Sequence, residues 1–469
     1  MSDIVLCTIN AKWIHPSLGL RLLKANLGAY EARTEIIEFA LRQPLAEKTE
    51  TLLRARPRIL GVSVSIWNHR ATAELLDALE ARWGADAPRP RIVLGGPEAS
   101  HLPEGAALFR HADWVIRGEG EAAFRRLVED ILTENEERRR DPPEFINAEP
   151  VPLPSIDPAY RLYTEEDLRR KLVYVEASRG CPFGCDFCLS SLDRQVREFP
   201  LDEFLAGMET LLRRGAWTIK FLDRTFNLNS GRACRIMEFF LNKIETNASP
   251  FCVHFEMIPS RFPPELRALV SRFPPGSLRL ELGIQTLNPA VAALIGRPGD
   301  PGQELEVLNF LREAANAIVH ADLIAGLPGE DSASFANGFD RLWQAASGAG
   351  TSLEIQLGIL KRLPGTPLAR HDQAYGMRYD PAPPYEVQET AALPAPELAR
   401  IKNAARFWEL IMNRGNFSAI TAALFPVGQP VFRRFMALAD SLLARFGRNW
   451  GIDRKDLQAA LLVFQEAAD

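Results

Sequence analysis

The sequence predicts an α/β protein made of two modules in series. A doubly wound, Rossmann-like sheet comes first, then a partial (β/α)6 barrel of the TIM type, and a helical C-terminal region follows. Three observations lead there. Along the first 130 residues, short runs rich in Val and Ile alternate with helix-period segments, the pattern of a parallel sheet. A second series of six such runs begins at Val173, too few for an eightfold barrel, which takes about 250 residues. Between the two lies a stretch dense in proline. The expected boundaries are 1–140 for the first domain, 141–171 for a proline-rich linker, 172–370 for the barrel and 371–469 for the helical region.

The strand candidates of the first module are Ile4–Thr8, Glu35–Phe39, Ile59–Ser65, Arg91–Leu94 and Trp114–Arg117. Leucines at helical spacing, such as Leu75, Leu76 and Leu79, fill the gaps between them. Five parallel strands fit a doubly wound domain, whose ligands bind beyond the carboxyl ends of the strands. The charge run from Glu134 to Arg140 reads as a solvated helix end. From Asp141 to Pro158 stand Pro142, Pro143, Pro150, Pro152, Pro154 and Pro158. Proline cannot join a sheet interior or continue a helix, so an extended linker is expected here.

The barrel strand candidates are Val173–Ala177, Thr218–Leu222, Cys252–Glu256, Leu278–Gly283, Val319–Ile324 and Leu353–Leu357. Helical patterns such as Leu201–Leu212 and Glu304–Ala314 separate them. Active residues of such barrels sit at the carboxyl ends of the strands. Further on, Leu398, Ile401, Ala405, Trp408 and Met412 share one helical face, as do Val431, Phe435, Leu438, Leu442 and Phe446. These amphipathic helices are expected to cap the barrel.

Hydrophobic residues make up 46% of the chain and charged residues 25%, values of a soluble globular protein. A net charge of −5 argues against a large nucleic-acid surface. Six cysteines in 469 residues are too few for a disulfide scaffold, and clustered thiols imply a reducing compartment. Cys7, Cys234 and Cys252 are scattered in apolar surroundings and read as buried packing. The start of the chain lacks the basic and apolar regions of a signal peptide. Nowhere is there an uncharged apolar run of the ~18 residues a membrane span needs. A cytoplasmic monomer is expected.

The chemistry concentrates at Cys181, Cys185 and Cys188, spaced C-x3-C-x2-C directly after the first barrel strand. A cubic iron–sulfur cluster normally takes four thiolates, so three leave one iron open to a ligand. A zinc site would need a fourth ligand, and no second Cys pair exists. This loop resembles that of the radical S-adenosylmethionine (SAM) superfamily. There the open iron of a 4Fe-4S cluster binds the amino and carboxylate groups of SAM and cleaves it to a 5′-deoxyadenosyl radical.

The resemblance extends along the barrel and implies a SAM-binding set. Phe187 matches the aromatic position near the adenine. Asp223, in Phe221–Asn227, matches the segment that receives the SAM ammonium. Glu256 ends the third strand, followed by Ser260. Glu281 and Gln285 lie in a match to the strand motif E-x-G-x-Q-S/T and are expected to bond the ribose or the methionine end. Arg297 is the expected partner of the SAM carboxylate. Asp322 and the turn Gly326-Leu327-Pro328-Gly329 follow on the fifth strand, with glycines to allow close backbone approach to a ligand. The run Leu363–Leu368 matches the end of the family's barrel and carries no assigned chemistry.

The first module resembles the cobalamin-binding class of the same superfamily. Gly95-Gly96-Pro97 follows the fourth strand and Gly118-Glu119 the fifth. Glycines there would give a corrinoid close backbone contact, and Ser63 and Ser65 would offer hydroxyls to its nucleotide tail. No D-x-H-x-x-G pattern supplies a histidine beneath cobalt. The loop Ile66-Trp67-Asn68-His69 is expected there instead, with Trp67 shielding the lower face without ligating it; His69 is the alternative and a core role for Trp67 the other. His15, in the loop after the first strand, reads as locally satisfied. A G-x-G-x-x-G nucleotide turn is missing.

Together these resemblances imply a cobalamin-dependent radical SAM methyltransferase. SAM would be cleaved at the cluster, and methylcobalamin would methylate an unactivated carbon. An external donor such as flavodoxin or ferredoxin would supply electrons. The alternatives are a non-methylating rearrangement, cyclisation or oxidation, and a non-catalytic corrinoid or iron–sulfur sensor. The substrate is left open, a small metabolite, lipid or peptide being favoured over large RNA.

Overall fold

The computed structural model describes residues 2–84, 88–133, 142–246, 250–297, 299–346, 352–426 and 428–467. The charge run at 134–140 lies outside the described residues. Two compact units emerge: Met1–Ala177 with Arg197–Lys220, and Ser178–Val196 with Phe221–Asp469.

In the first unit, β1 (Ile4–Asn10), β2 (Thr34–Ala40), β3 (Ile59–Ser63), β4 (Arg91–Gly95), β5 (Trp114–Arg117) and β6 (Glu144–Asn147) form one sheet in the order β2-β1-β3-β4-β5-β6. Every pair is parallel. All seven residues of β1 are buried, as a central strand covered on both faces requires. Val5, Cys7 and Ile9 feed one apolar core, and Ile4 and Leu6 feed another on the opposite face. This is the doubly wound arrangement. Its switch point lies between β1 and β3, where the order reverses.

The five expected strands are present, and β6 is a sixth within the segment read as an extended linker. Its place explains both facts: β6 is an edge strand, and Pro142, Pro143 and Pro150 flank it without entering it. The rest of that segment is also ordered. Thr164 and Asp167 form a capping box on the helix Glu165–Arg170. Buried Arg21 reaches Asp167 at 2.9 Å and Glu38 at 3.0 Å, with the Tyr163 ring beneath its guanidinium.

The second series comprises β7 (Val173–Val175), the two-residue strands β8 (Ser178–Arg179) and β9 (Arg197–Glu198), β10 (Thr218–Phe221), β11 (Cys252–Met257), β12 (Leu278–Gln285), β13 (Ile318–Ala325) and β14 (Ser352–Ile359). Six of them form a sheet in the order β14-β13-β12-β11-β10-β7, the expected partial-barrel series. The pairs β11–β12, β12–β13 and β13–β14 are parallel. In β12, buried and half-buried residues alternate along the whole strand, one face packed and the other more open.

The C-terminal region adds a small hairpin, β15 (Arg378–Tyr379) with β16 (Val387–Glu389), and helices at Ala395–Trp408, Ser418–Leu424, Phe432–Phe446 and Arg454–Glu466. Leu398, Ile401 and Trp408 are buried as expected, and the Trp408 ring meets Phe339 of the barrel helix Ser332–Ala346 edge-on, 4.7 Å between centroids. The helices do cap the barrel. Cys7 is fully buried, which pushes its thiol up to about 12 and makes it inert. Cys234 and Cys252 are only half-buried, less enclosed than their apolar surroundings predicted.

Candidate functional site

The cysteine loop leaves β8 through Gly180, at φ +89°, where a side chain would strike the Gln195 carbonyl. Cys181 and Cys185 are buried and Cys188 is half-buried. Burial raises the Cys185 thiol, and the Arg297 guanidinium bonded to it acts in the opposite sense. Thr225 Oγ1 lies 3.7 Å from Cys181 Sγ. Among the described residues no three His, Cys, Asp or Glu side chains gather round a point for a single ion. Three thiols on one loop are instead the donor set of a cubane, which takes each thiolate on a separate iron. The residues fit a cluster with one open iron.

Around this loop the expected barrel residues take up positions of two kinds. Some face open space. Phe187, Gln285, Asp322, Gln356 and Lys361 line a cavity of about 260 Å³. Gln285 sits there at φ +68°, and the Thr286 N–H donates to the Ile284 carbonyl at 2.9 Å. A three-residue turn of this sense is rare and strained for a side-chain-bearing residue. It bulges β12 and carries Gln285 beyond the regular ladder. Asp223 is buried and accepts a 2.5 Å hydrogen bond from Ser178 Oγ, which orients its carboxylate. Glu256 and Ser260 are half-buried at the end of β11 and in the turn after it.

Other expected binding residues turn out to be occupied. Glu281 shares a sheet row with His320 and Glu354, while Asp322 and Gln356 stand one row nearer the carboxyl ends with Gly283. Glu281 lies 3.2 Å from His254 Nε2, one row below Gly283 and Asp322 in the sheet. Arg297 donates to the Gly283 and Ile284 carbonyls as well as to Cys185; its guanidinium braces the bulge and the cysteine loop together. Gly326 needs its φ of +87°, but its bare side meets Val387 and Leu398, and Leu327 is fully buried. That turn accommodates the C-terminal region; ligand approach is not what requires the glycine.

In the first unit the loop after β3 stands at the switch point. Trp67 is 54% exposed, which rules out its core role. The residue beneath it is Asn68, fully buried. Its Oδ1 accepts from Ser65 N at 2.8 Å, and its Nδ2 donates to the Ile9 carbonyl at 3.0 Å and to Thr8 Oγ1 at 3.2 Å. Asn68 is therefore spent on holding the loop, and its full burial keeps it from direct contact with a ligand. Ser65 is buried in the same turn and Ser63 is half-buried at the strand end. His69 Nδ1 lies 2.8 Å from buried Glu98, a pair that uses one ring nitrogen and orients the other.

The glycines beyond β4 and β5 also have a structural explanation. A Cβ on Gly96 would lie 2.7 Å from the Val64 carbonyl, and one on Gly95 3.5 Å from that of Ile116. Pro97 opens the short helix Pro97–His101. Gly118 takes φ +86° and faces the Ala148 carbonyl. Glu119 is ion-paired with Arg197. Gly96 and Gly118 let adjacent loops close on each other at positions where corrinoid contact is expected, whereas a Cβ on Gly95 would make only an ordinary contact. His15 bonds Tyr174 at 2.8 Å, locally satisfied as expected. A larger cavity of about 470 Å³ is lined by Arg91, Trp114 and Glu144 at the amino ends of β4, β5 and β6. Parallel sheets bind ligands at the other edge, so it lies away from the chemistry.

Asp186, His371, Gln356 and Lys361 escaped the sequence reading. Asp186 stood inside the cysteine motif and was legible there. The others are brought in by long-range folding and carry no local pattern.

Comparison with known proteins agrees with this geometry. Residues 4–128 match the B12 binding domain, 175–342 the Radical SAM superfamily, and 373–468 a protein family of unknown function, DUF4080. An uncharacterized methyltransferase of Pyrococcus horikoshii, PH0819, is 28% identical over 67% of this chain and 70% of its own length. The cobalamin-dependent radical SAM methyltransferase TokK of Streptomyces tokunonensis is 24% identical over 72% of this chain, which spans 52% of TokK. Among solved structures, the cobalamin-dependent S-adenosylmethionine radical enzyme OxsB matches with a TM-score of 0.66 at 14% identity, covering 99% of this chain and 79% of OxsB. The radical S-adenosylmethionine methyltransferase TsrM of Kitasatospora setae matches with a TM-score of 0.61 at 16% identity, covering 95% of this chain and 100% of TsrM. With both domains matched in this order, over more than half of the residues, the chain belongs to the cobalamin-binding radical SAM enzymes.

Proposed function

We propose that the chain is a cobalamin-dependent radical SAM methyltransferase that acts on an unactivated carbon. The cysteine loop, whose Phe187 shares the wall of one cavity with Gln285 and Asp322, carries this proposal. When bound, the cluster with SAM supplies a hydrogen-abstracting radical, and cobalamin supplies a methyl group. Cys181, Cys185 and Cys188 would hold the cluster. Asp223, held by Ser178, would receive an ammonium, because a carboxylate is an acceptor only. Phe187 offers a ring face to adenine. Gln285 and Asp322 offer polar contacts to the ribose, with Glu256 and Ser260 at the neighbouring strand end. Arg297 keeps a permanent positive charge beside Cys185, which favours a carboxylate next to the open iron.

In the first unit Trp67 presents an exposed apolar face on a loop fastened by Asn68. An indole cannot ligate cobalt, so the metal would be shielded from below without a protein ligand. Ser63 and Ser65 stand at the same strand end for the nucleotide tail. The names of TokK and PH0819 favour methyl transfer over a rearrangement or oxidation.

The test is anaerobic turnover with methyl-deuterated SAM, a low-potential reductant and fractionated small-molecule extract. Release of 5′-deoxyadenosine together with a product heavier by one labelled methyl is expected. Release of 5′-deoxyadenosine with an unlabelled, rearranged product would replace methyl transfer with the alternative chemistry. No 5′-deoxyadenosine at all would overturn the proposal.

A further inference from the structure

We propose that Asp186, His371 and Arg370 form a latch that holds the cysteine loop in its ligating shape. The inference rests on the cluster assignment made above. Asp186 stands between Cys185 and Phe187, and only 2% of its side chain is exposed. A buried carboxylate is costly unless it is paired. Its partners come from the turn Pro367–His371, far along the chain. His371 Nε2 lies 2.7 Å from Asp186 Oδ2, and the Arg370 guanidinium lies 2.5 Å from the same oxygen. Arg370 Nε also lies 3.2 Å from His371 Nε2; the shorter contact is to a carboxylate, which only accepts, so we assign the His371 proton to Nε2. The His371 side chain is 7% exposed, so water competes little for this contact.

The run Leu363–Leu368, which sequence reading left without chemistry, delivers this pair. Thr366 turns back on the Leu363 carbonyl through its backbone N–H at 3.2 Å and its Oγ1 at 2.7 Å. Gly365 takes φ +87°, and Leu368 is fully buried. The chain is thereby anchored one residue pair before Arg370 and His371. On the other side, the Asp186 N–H donates to the Ile295 carbonyl at 3.0 Å. Gly296 leaves room for the Gly184 carbonyl, which would lie 2.7 Å from a Cβ there. The backbone of the cysteine loop is thus bonded at residue 186 and closely packed at residue 184, and the latch is the side-chain part of that clamp. Arg370 and His371 fall between the region matching the Radical SAM superfamily and that matching DUF4080. The latch joins the cysteine loop to the start of the C-terminal region, and it makes these positioning residues.

The experiment compares the full-length chain with Asp186→Ala, His371→Ala, His371→Gln and, as a control, Arg400→Ala, which removes an exposed ion pair with Asp440. Two readouts are used: hydrogen–deuterium exchange of peptides spanning 180–192 in the metal-free protein, and iron release to a chelator after anaerobic reconstitution. Asp186→Ala and His371→Ala should raise both rates about tenfold, the effect of losing one buried charge-assisted hydrogen bond. His371→Gln keeps a donor at the Nε2 position and should remain within about threefold of the unaltered chain. The thermal midpoints of the metal-free Asp186→Ala and His371→Ala variants should fall further than that of Arg400→Ala, because the pair they break is buried. Unchanged exchange in His371→Ala, or equal exchange in His371→Ala and His371→Gln, would overturn the latch. If Cys185→Ala keeps its iron, the cluster assignment fails instead, and the exchange measurement on metal-free protein still decides the latch.

Discussion

Replacing Asn68 with Ala should separate the two jobs of the β3 loop, holding itself together and presenting Trp67. The Asn68 side chain is fully buried and makes hydrogen bonds of 2.8, 3.0 and 3.2 Å to Ser65, Ile9 and Thr8. Its removal strands the Ser65 N–H, which costs about 2 kcal/mol, and the bonds from Nδ2 to Thr8, Ile9 and Ser63 together add about 1 kcal/mol. The total of about 3 kcal/mol corresponds to a fall of about 6–12 °C in the unfolding midpoint of a unit of this size. Scanning calorimetry of the metal-free chain measures that fall. Hydroxocobalamin titration, followed by absorbance, should show binding weakened about tenfold, equivalent to about 1.4 kcal/mol of loop ordering. Trp67→Ala should weaken binding comparably with little change in midpoint, because Trp67 is 54% exposed. Unaltered cobalamin affinity in Asn68→Ala alongside a lowered midpoint would refute the placement of cobalamin at this loop.

Three further outcomes follow from single residues. Gln285→Gly should raise stability by about 1 kcal/mol by relieving the φ of +68°, and should weaken SAM binding in equilibrium dialysis, since strain at a site is kept for its side chain. Glu330 is buried, accepts from Thr286 at 2.7 Å and leaves Oε2 without a partner; desolvation pushes it up to about 7. Its folded value lies above its unfolded one, so its neutral form suits the fold, and stability is lost as pH rises from about 4.5 through about 7. Glu330→Gln should therefore stabilise by on the order of 3 kcal/mol at pH 8 and hardly at all at pH 4, read by denaturant unfolding at the two values. Gly326→Ala should destabilise the second unit by about 3 kcal/mol, since its Cβ would sit 2.5 Å from Val387 at a left-handed φ, while hydroxocobalamin binding by the first unit stays unchanged.

Where burial and local pattern coincide, the structure was legible in the chain. The run Ile4–Thr8 read as a strand of a parallel sheet, and it lies in β1, which is buried along its whole length. The cysteine loop declared itself by spacing, and it follows β7 and β8, beyond the carboxyl end of the first barrel strand. Strand β6 was hidden because its neighbours are prolines, and only the edge position makes those harmless. Gly326 misled for a different reason. A left-handed glycine fits ligand approach and close packing equally, and the deciding groups, Val387 and Leu398, lie some sixty and seventy residues later. Asn68 was read as a contact residue because its hydrogen bonds to Thr8 and Ile9 cross between strands. The partners of Asp186 were invisible for the same reason, being supplied by a turn at the far end of the barrel.

The central claim, that one chain holds two metal cofactors on separate sets of residues, is tested most directly by cofactor stoichiometry in one pair of proteins. The chain and its Cys185→Ala variant are reconstituted anaerobically with iron, sulfide and hydroxocobalamin, desalted, and analysed for iron, sulfide and cobalt. The unaltered chain should carry about four irons and one cobalt, and the variant should lose its iron and keep its cobalt. Iron retained in the variant, or cobalt absent from both proteins, would contradict the account.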